Sequence, residues 1–159
     1  MSESDPTPVN PEFASIMATM ARYDSRLAVS NAKTKASLFA ALAAAGVAKV
    51  TVVFDGQGDS GAVEDVLASA AGDVAVDLPD VSIDYFAAGF SDDEEEVVTQ
   101  RPLKEAIESL AFAFLSQTHG GWENNEGGFG DFFFDVAAGS VRLDYQERYT
   151  ETTSYEHDF

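Results

Sequence analysis

Phe13, Ile16, Met17 and Met20 recur at helical spacing behind Pro11, a residue suited to a helix's first turn, so the pattern predicts a helix from residue 11. Ser30-Asn31 offers a break and a cap for a second segment carrying Lys35, Leu38, Phe39 and Leu42, which ends at Gly46. Lys49–Asp55 then switches to a β-branched run bounded by glycine, the signature of a strand. Ala62–Ala71 places Val63, Val66, Leu67 and Ala70 on one helical face and predicts a short helix. Val74–Leu78 and Val81–Phe86 are expected strands separated by Pro79. Pro102–Thr118 is the strongest helix in the chain, with Leu103, Ile107, Leu110 and Phe114 on one side and Gly120 to stop it. Asp131–Val136 and Val141–Tyr149 alternate as strands, and Ala137–Ser140 joins them as a hairpin. Phe132, Phe134 and Val136 should face the core, and Thr150–Phe159 should extend the second strand as an edge.

This order predicts an α+β fold: a mostly antiparallel sheet with N-terminal helices and one long amphipathic helix packed on one face. Residues 1–10 are polar and hold two prolines, the pattern of a disordered tail, leaving 11–159 as a single domain. No apolar run is long enough to span a bilayer. The chain has no cysteine and starts with an acidic rather than a basic segment, so a cytoplasmic location is expected.

Charge divides the chain. Residues 1–50 carry five Lys/Arg against four acids, whereas residues 51–159 carry four against 24, and the total is −19. Binding to phosphate backbones needs clustered cations, so nucleic acid and anionic membranes are excluded as partners. A basic protein surface is the partner that this field would attract. Solubility alone, or a salt-adapted source, would also give such a composition.

Two glycine-rich segments draw attention. His119–Asp131 holds the only Trp and five of the twelve Gly. Gly56-Gln-Gly-Asp-Ser-Gly61 matches the G-x-G-x-x-G pattern of dinucleotide sites, with Asp77 placed as a ribose-binding acid. Asp55 and Asp59 would, however, set carboxylates beside the pyrophosphate, and Asp59 or Ser60 could cap the following helix in its place. Read as an EF-hand loop, the same stretch has Ser60 where glycine is needed and Val66 where a bidentate Glu is needed.

The candidate binding residues are Asp55, Asp59, Ser60, His119, Trp122, Glu123, Asn124, Asn125 and Glu126. His119 is expected to close the long helix, where a cation complements the dipole. Trp122 would plug the core beneath its loop or stand out as an aromatic anchor, and Asn124-Asn125 suit a turn. Should the two loops adjoin, Asp55, Asp59, Glu123 and Asp131 could hold Ca²⁺ or Mg²⁺ and activate water.

Phe54–Gly61 (FDGQGDSG), His119–Gly130 (HGGWENNEGGFG), Leu143–Tyr149 and Tyr155–Phe159, together with Asn31–Gly46, resemble an uncharacterised bacterial domain family over residues 30–159. The resemblance implies a bacterial accessory protein of the kind carried on mobile elements and supplies no catalytic residue. The function expected from all this is a small acidic binding module without catalysis or cofactor, engaging a basic partner protein. The alternatives are a divalent-metal-binding protein or metal-dependent hydrolase and, third, a weak dinucleotide binder.

Overall fold

A computed structural model describes residues 11–57, 60–89, 91, 93–119, 127–149 and 151–159. Among these residues two helices, α1 (Pro11–Ala44) and α2 (Leu103–Thr118), accompany seven strands. The strands are β1 (Lys49–Gln57), β2 (Ser60–Ala70), β3 (Val74–Val76), β4 (Ser82–Ala87), β5 (Val97–Pro102), β6 (Gly128–Asp135) and β7 (Ser140–Glu147). One sheet runs β3-β2-β1-β6-β7 and a second consists of β4-β5. Every pairing is antiparallel, and the fold is α+β.

Alternation on the central strands decides which face is buried. Val50, Val52 and Phe54 of β1 and Phe132 and Phe134 of β6 point inward, all essentially inaccessible. They meet Leu38, Phe39 and Leu42 of α1 and Leu103, Ile107, Leu110 and Leu115 of α2 in one core. Burying each such side chain contributes roughly 1.5–3 kcal/mol, enough to fix the register of a strand that would expose them all if it slipped by one residue.

Several sequence expectations are corrected. The predicted helix over Ala62–Ala71 is strand β2, paired with β1 as a hairpin. The register shifts beside Val53/Phe54, where Val53 pairs with Asp65 and Phe54 with Val63, so Glu64 is the extra residue of a β-bulge. The bulge sets Val63 and Val66 on the same side at a spacing of three, which imitates a helical stripe. Leu67, expected inward, is on the opposite side and 52% exposed. Strand β5 had no counterpart in the sequence reading, and 151–159 carry no regular structure. The predicted tail, 1–10, lies outside the described residues.

Helix α1 does not break at Ser30-Asn31. Ser30, Asn31 and Thr34 are buried polar residues facing the β4–β5 unit. Ser30 Oγ donates to Glu96 at 2.6 Å, and the Phe86 N–H donates to Thr34 Oγ1 at 2.9 Å. What resembled a cap is a buried polar patch in which Ser30 and Thr34 make tertiary hydrogen bonds, while the Asn31 side-chain amide nitrogen is buried with no partner among the described residues. At its other end α1 stops as expected. Gly46 has φ +76°, with Gly46 N–H bonded to the Ala43 carbonyl and Val47 N–H to that of Leu42, a Schellman closure.

Candidate functional site

The described ends of the two glycine-rich segments are neighbours. Gly56 pairs with Gly128, Asp55 with Phe129 and Phe54 with Gly130, so the hairpin end of β1 and the start of β6 lie side by side. β7 completes the arrangement through Gly128↔Glu147 and Gly130↔Tyr145. Three of the motif segments, Phe54–Gly61, His119–Gly130 and Leu143–Tyr149, therefore meet through their described residues at one end of the five-stranded sheet.

Aromatic stacking explains why the glycines are there. The Tyr145 ring lies across Gly128, where an added Cβ would fall 2.3 Å from the phenolic oxygen. One side of that ring stacks on Phe54 (centroids 6.3 Å, 17°). His119, the residue that closes α2, stacks on it at 3.8 Å and 10°. The expected helix-closing position of His119 is seen, and the ring serves as one member of a His119–Tyr145–Phe54 column.

Beside the column Arg148 forms a clamp. Its guanidinium donates to both carboxylate oxygens of Asp55, at 2.9 and 3.0 Å, and to the Gly56 carbonyl at 3.1 Å. It lies 4.6 Å from the centre of the Phe129 ring, and its backbone N–H donates to the Gly127 carbonyl at 2.9 Å. The hydrogen bond to Asp55 raises the Arg148 pKa further and so secures its charge. Bidentate Arg–carboxylate geometry of this kind fixes orientation as well as energy.

The clamp bears directly on the metal reading. Both oxygens of Asp55 are taken by Arg148, which leaves that carboxylate poorly placed to ligate a cation. Among the described residues no three His, Asp or Glu side chains converge. Asp131 is two residues further along β6, on the same side as Asp55. Asp59, Trp122, Glu123, Asn124, Asn125 and Glu126 lie outside the described residues, and so does the side chain of Ser60. The G-x-G-x-x-G stretch is a β-hairpin with no helix after it, so the helix N-terminus that would receive a pyrophosphate is absent from that position.

The clamp opens onto the second face of the sheet, which no described helix covers. Across four strands the register aligns Asp65, Val53, Asp131 and Asp144 in one row. The next row is Leu67, Thr51, Phe133 and Arg142, with the Arg142 guanidinium 4.9 Å above the Phe133 ring. The acidic row has no ion pair among the described residues. The face thus combines unneutralised carboxylates with partly exposed Phe129, Phe133 and Val53.

Sequence reasoning had singled out Asp55, His119 and Asp131 but missed Arg148, Tyr145, Asp65 and Asp144. Arg148 carried a usable signal: it is one of only four bases in residues 51–159, inside a motif of alternating strand residues.

Residues 30–159 match the sequence profile of DUF6878, a family of unknown function. The chain belongs to that family. The match covers both sheets, α2 and the buried half of α1, and it begins at the first buried residue of α1, Ser30. No curated protein and no solved structure matches the chain. No described helix is long and apolar enough to cross a membrane.

Proposed function

We propose that the protein is a non-catalytic binding module whose uncovered sheet face engages a basic partner protein. The observation that carries this reading is the cross-strand row Asp65–Val53–Asp131–Asp144. It sets three carboxylates, with no ion pair among the described residues, across the sheet, flanked by aromatic side chains that offer apolar contact area. The net charge of the whole chain, −19, would draw a cationic surface towards this face from a distance. Asp55, His119, Tyr145 and Arg148 act in this reading as ties that hold the face in shape. The motif resemblance supports a bacterial accessory role, and the absence of cysteine supports a cytoplasmic setting.

The immobilised full chain is challenged with extract at low ionic strength and eluted with rising salt. Retained proteins should be basic, should leave as salt rises, and should be lost from an Asp65→Asn/Asp131→Asn/Asp144→Asn variant that melts at the wild-type temperature. Retention that is indifferent to salt, or undiminished in the triple variant, would refute the proposal. Ca²⁺ or Mg²⁺ should leave the melting temperature unchanged; a rise that Asp131→Asn abolishes would favour the metal-binding alternative instead.

A further inference from the structure

From Pro11 to Val29 no residue of α1 is buried, and the helix first enters the core at Ser30. This arm is about 28 Å long at 1.5 Å per residue. It is nevertheless strongly patterned. Phe13, Ile16, Met17 and Met20 are 50–56% exposed, and Tyr23 and Leu27 continue the stripe towards the domain. Their spacing is that of a coiled-coil seam, with 13, 20 and 27 at one core position, 16 and 23 at the other, and Met17 beside it. Helices draw most of their stability from packing such a face, and here Phe13, Ile16, Met17 and Met20 are left exposed.

We propose that the arm pairs with the same arm of a second copy, in antiparallel orientation. Charge selects the partner. The arm carries Glu12 and Asp24 against Arg22 and Arg26 and is neutral, within a chain of net charge −19. A basic protein would be drawn to the acidic body, whereas the complement of a neutral apolar stripe is another of the same kind. Its polar side lacks the Lys/Arg excess that binds a helix to an anionic lipid surface.

Charge also selects the orientation. Parallel arms would set two strongly acidic bodies side by side. Antiparallel arms hold them at opposite ends, a separation of several Debye lengths at physiological salt, where each length is about 8 Å. In the register that sets Phe13 opposite Tyr23 and Ile16 opposite Met20, Glu12 of each copy flanks Arg26 of the other. The contact is two-fold and closes on itself.

Area sets the strength. With side chains of this size half exposed, two arms would bury on the order of 1,000 Å² in all, at the lower edge of specific interfaces. The dimer is therefore concentration-dependent, and it is independent of the acidic sheet face.

Sedimentation of the full chain over a wide concentration series tests this. The wild type should pass from monomer to dimer. Ile16→Asp/Met20→Asp should stay monomeric with an unchanged melting temperature, because neither residue touches the core. The chain has no cysteine, so single cysteines report the orientation cleanly. Met17→Cys, close to the two-fold axis, should form a disulfide-linked dimer under mild oxidation, whereas Phe13→Cys at the arm's end should not. A monomer at every concentration, a dimer that survives the double substitution, or equal cross-linking at 13 and 17 would overturn the proposal. So would loss of self-association in favour of binding to phosphatidylglycerol vesicles.

Discussion

At Gly130 the close approach of β6 to β7 leaves space for a hydrogen and no more. An added Cβ would fall 1.9 Å from the Asp144 carbonyl oxygen and 3.3 Å from the Phe54 ring. Gly130→Ala must push the two strands apart and should cost about 3 kcal/mol, measured by urea unfolding. Gly139 provides the contrast. It has φ +63° in the β6–β7 turn and nothing within 4 Å of an added Cβ. Gly139→Ala meets only backbone strain and should cost about 1 kcal/mol. Arg148 is held by fork geometry, so charge alone does not replace it. Arg148→Lys should leave the fold intact but speed exchange of the backbone amide at position 148, which donates to the Gly127 carbonyl. Unchanged exchange would mean that the clamp does not hold the strand end.

Among the elements, the junction between α1 and the β4–β5 unit is the one built from polar groups. Thr34 is fully buried and accepts from the Phe86 N–H. Thr34→Val fills the same space and orphans that donor, so a loss of about 1–3 kcal/mol is expected in denaturant titration. Glu96 fastens the loop before β5 to the same helix, accepting from Ser30 at 2.6 Å and from Lys33 at 2.9 Å. The hydrogen bond from Ser30, then that from Lys33, hold its carboxyl below the usual carboxylate range. A carboxylate with a lowered native pKa stabilises the fold above its ordinary pKa and loses that effect as pH falls through the lowered value. The melting temperatures of wild type and Glu96→Gln should therefore differ at neutral pH and converge in acid. A gap that persists at low pH would show that Glu96 acts by packing rather than by charge. These same residues show where sequence reading stops. The polar pair Ser30-Asn31 reads as a helix break because distant partners, such as Glu96 for Ser30 and Phe86 for Thr34, are invisible in a local pattern. The Val63/Val66 spacing misled for a related reason: a bulge is defined by the strand opposite it.

For the whole molecule, charge is the dominant property. Net −19 on a chain of 159 residues works against compaction, and added salt screens that repulsion. The melting temperature should rise between low and moderate NaCl while association with a basic partner weakens over the same range. Opposite salt trends for folding and binding are the expected mark of this electrostatic arrangement, and parallel trends would contradict it.

By itself the sequence determined the α+β class, helix α2, strand β1, the β6–β7 hairpin and the glycine stop of α1, but not that α1 is the longer helix, unbroken over 34 residues. Each of these rests on local periodicity, on propensity or on a backbone angle that glycine supplies. It also determined the acidic balance, which is a matter of counting. Only the tertiary structure decided that the described ends of the two glycine-rich segments are neighbours, that Arg148 occupies Asp55, and that Asp65, Asp131 and Asp144 share one row. It alone showed that the stripe of Phe13, Ile16, Met17 and Met20 is left uncovered. The physical reason is that the first three depend on pairing between segments far apart in the chain and the fourth on no such segment covering the stripe, and neither is encoded in a local pattern.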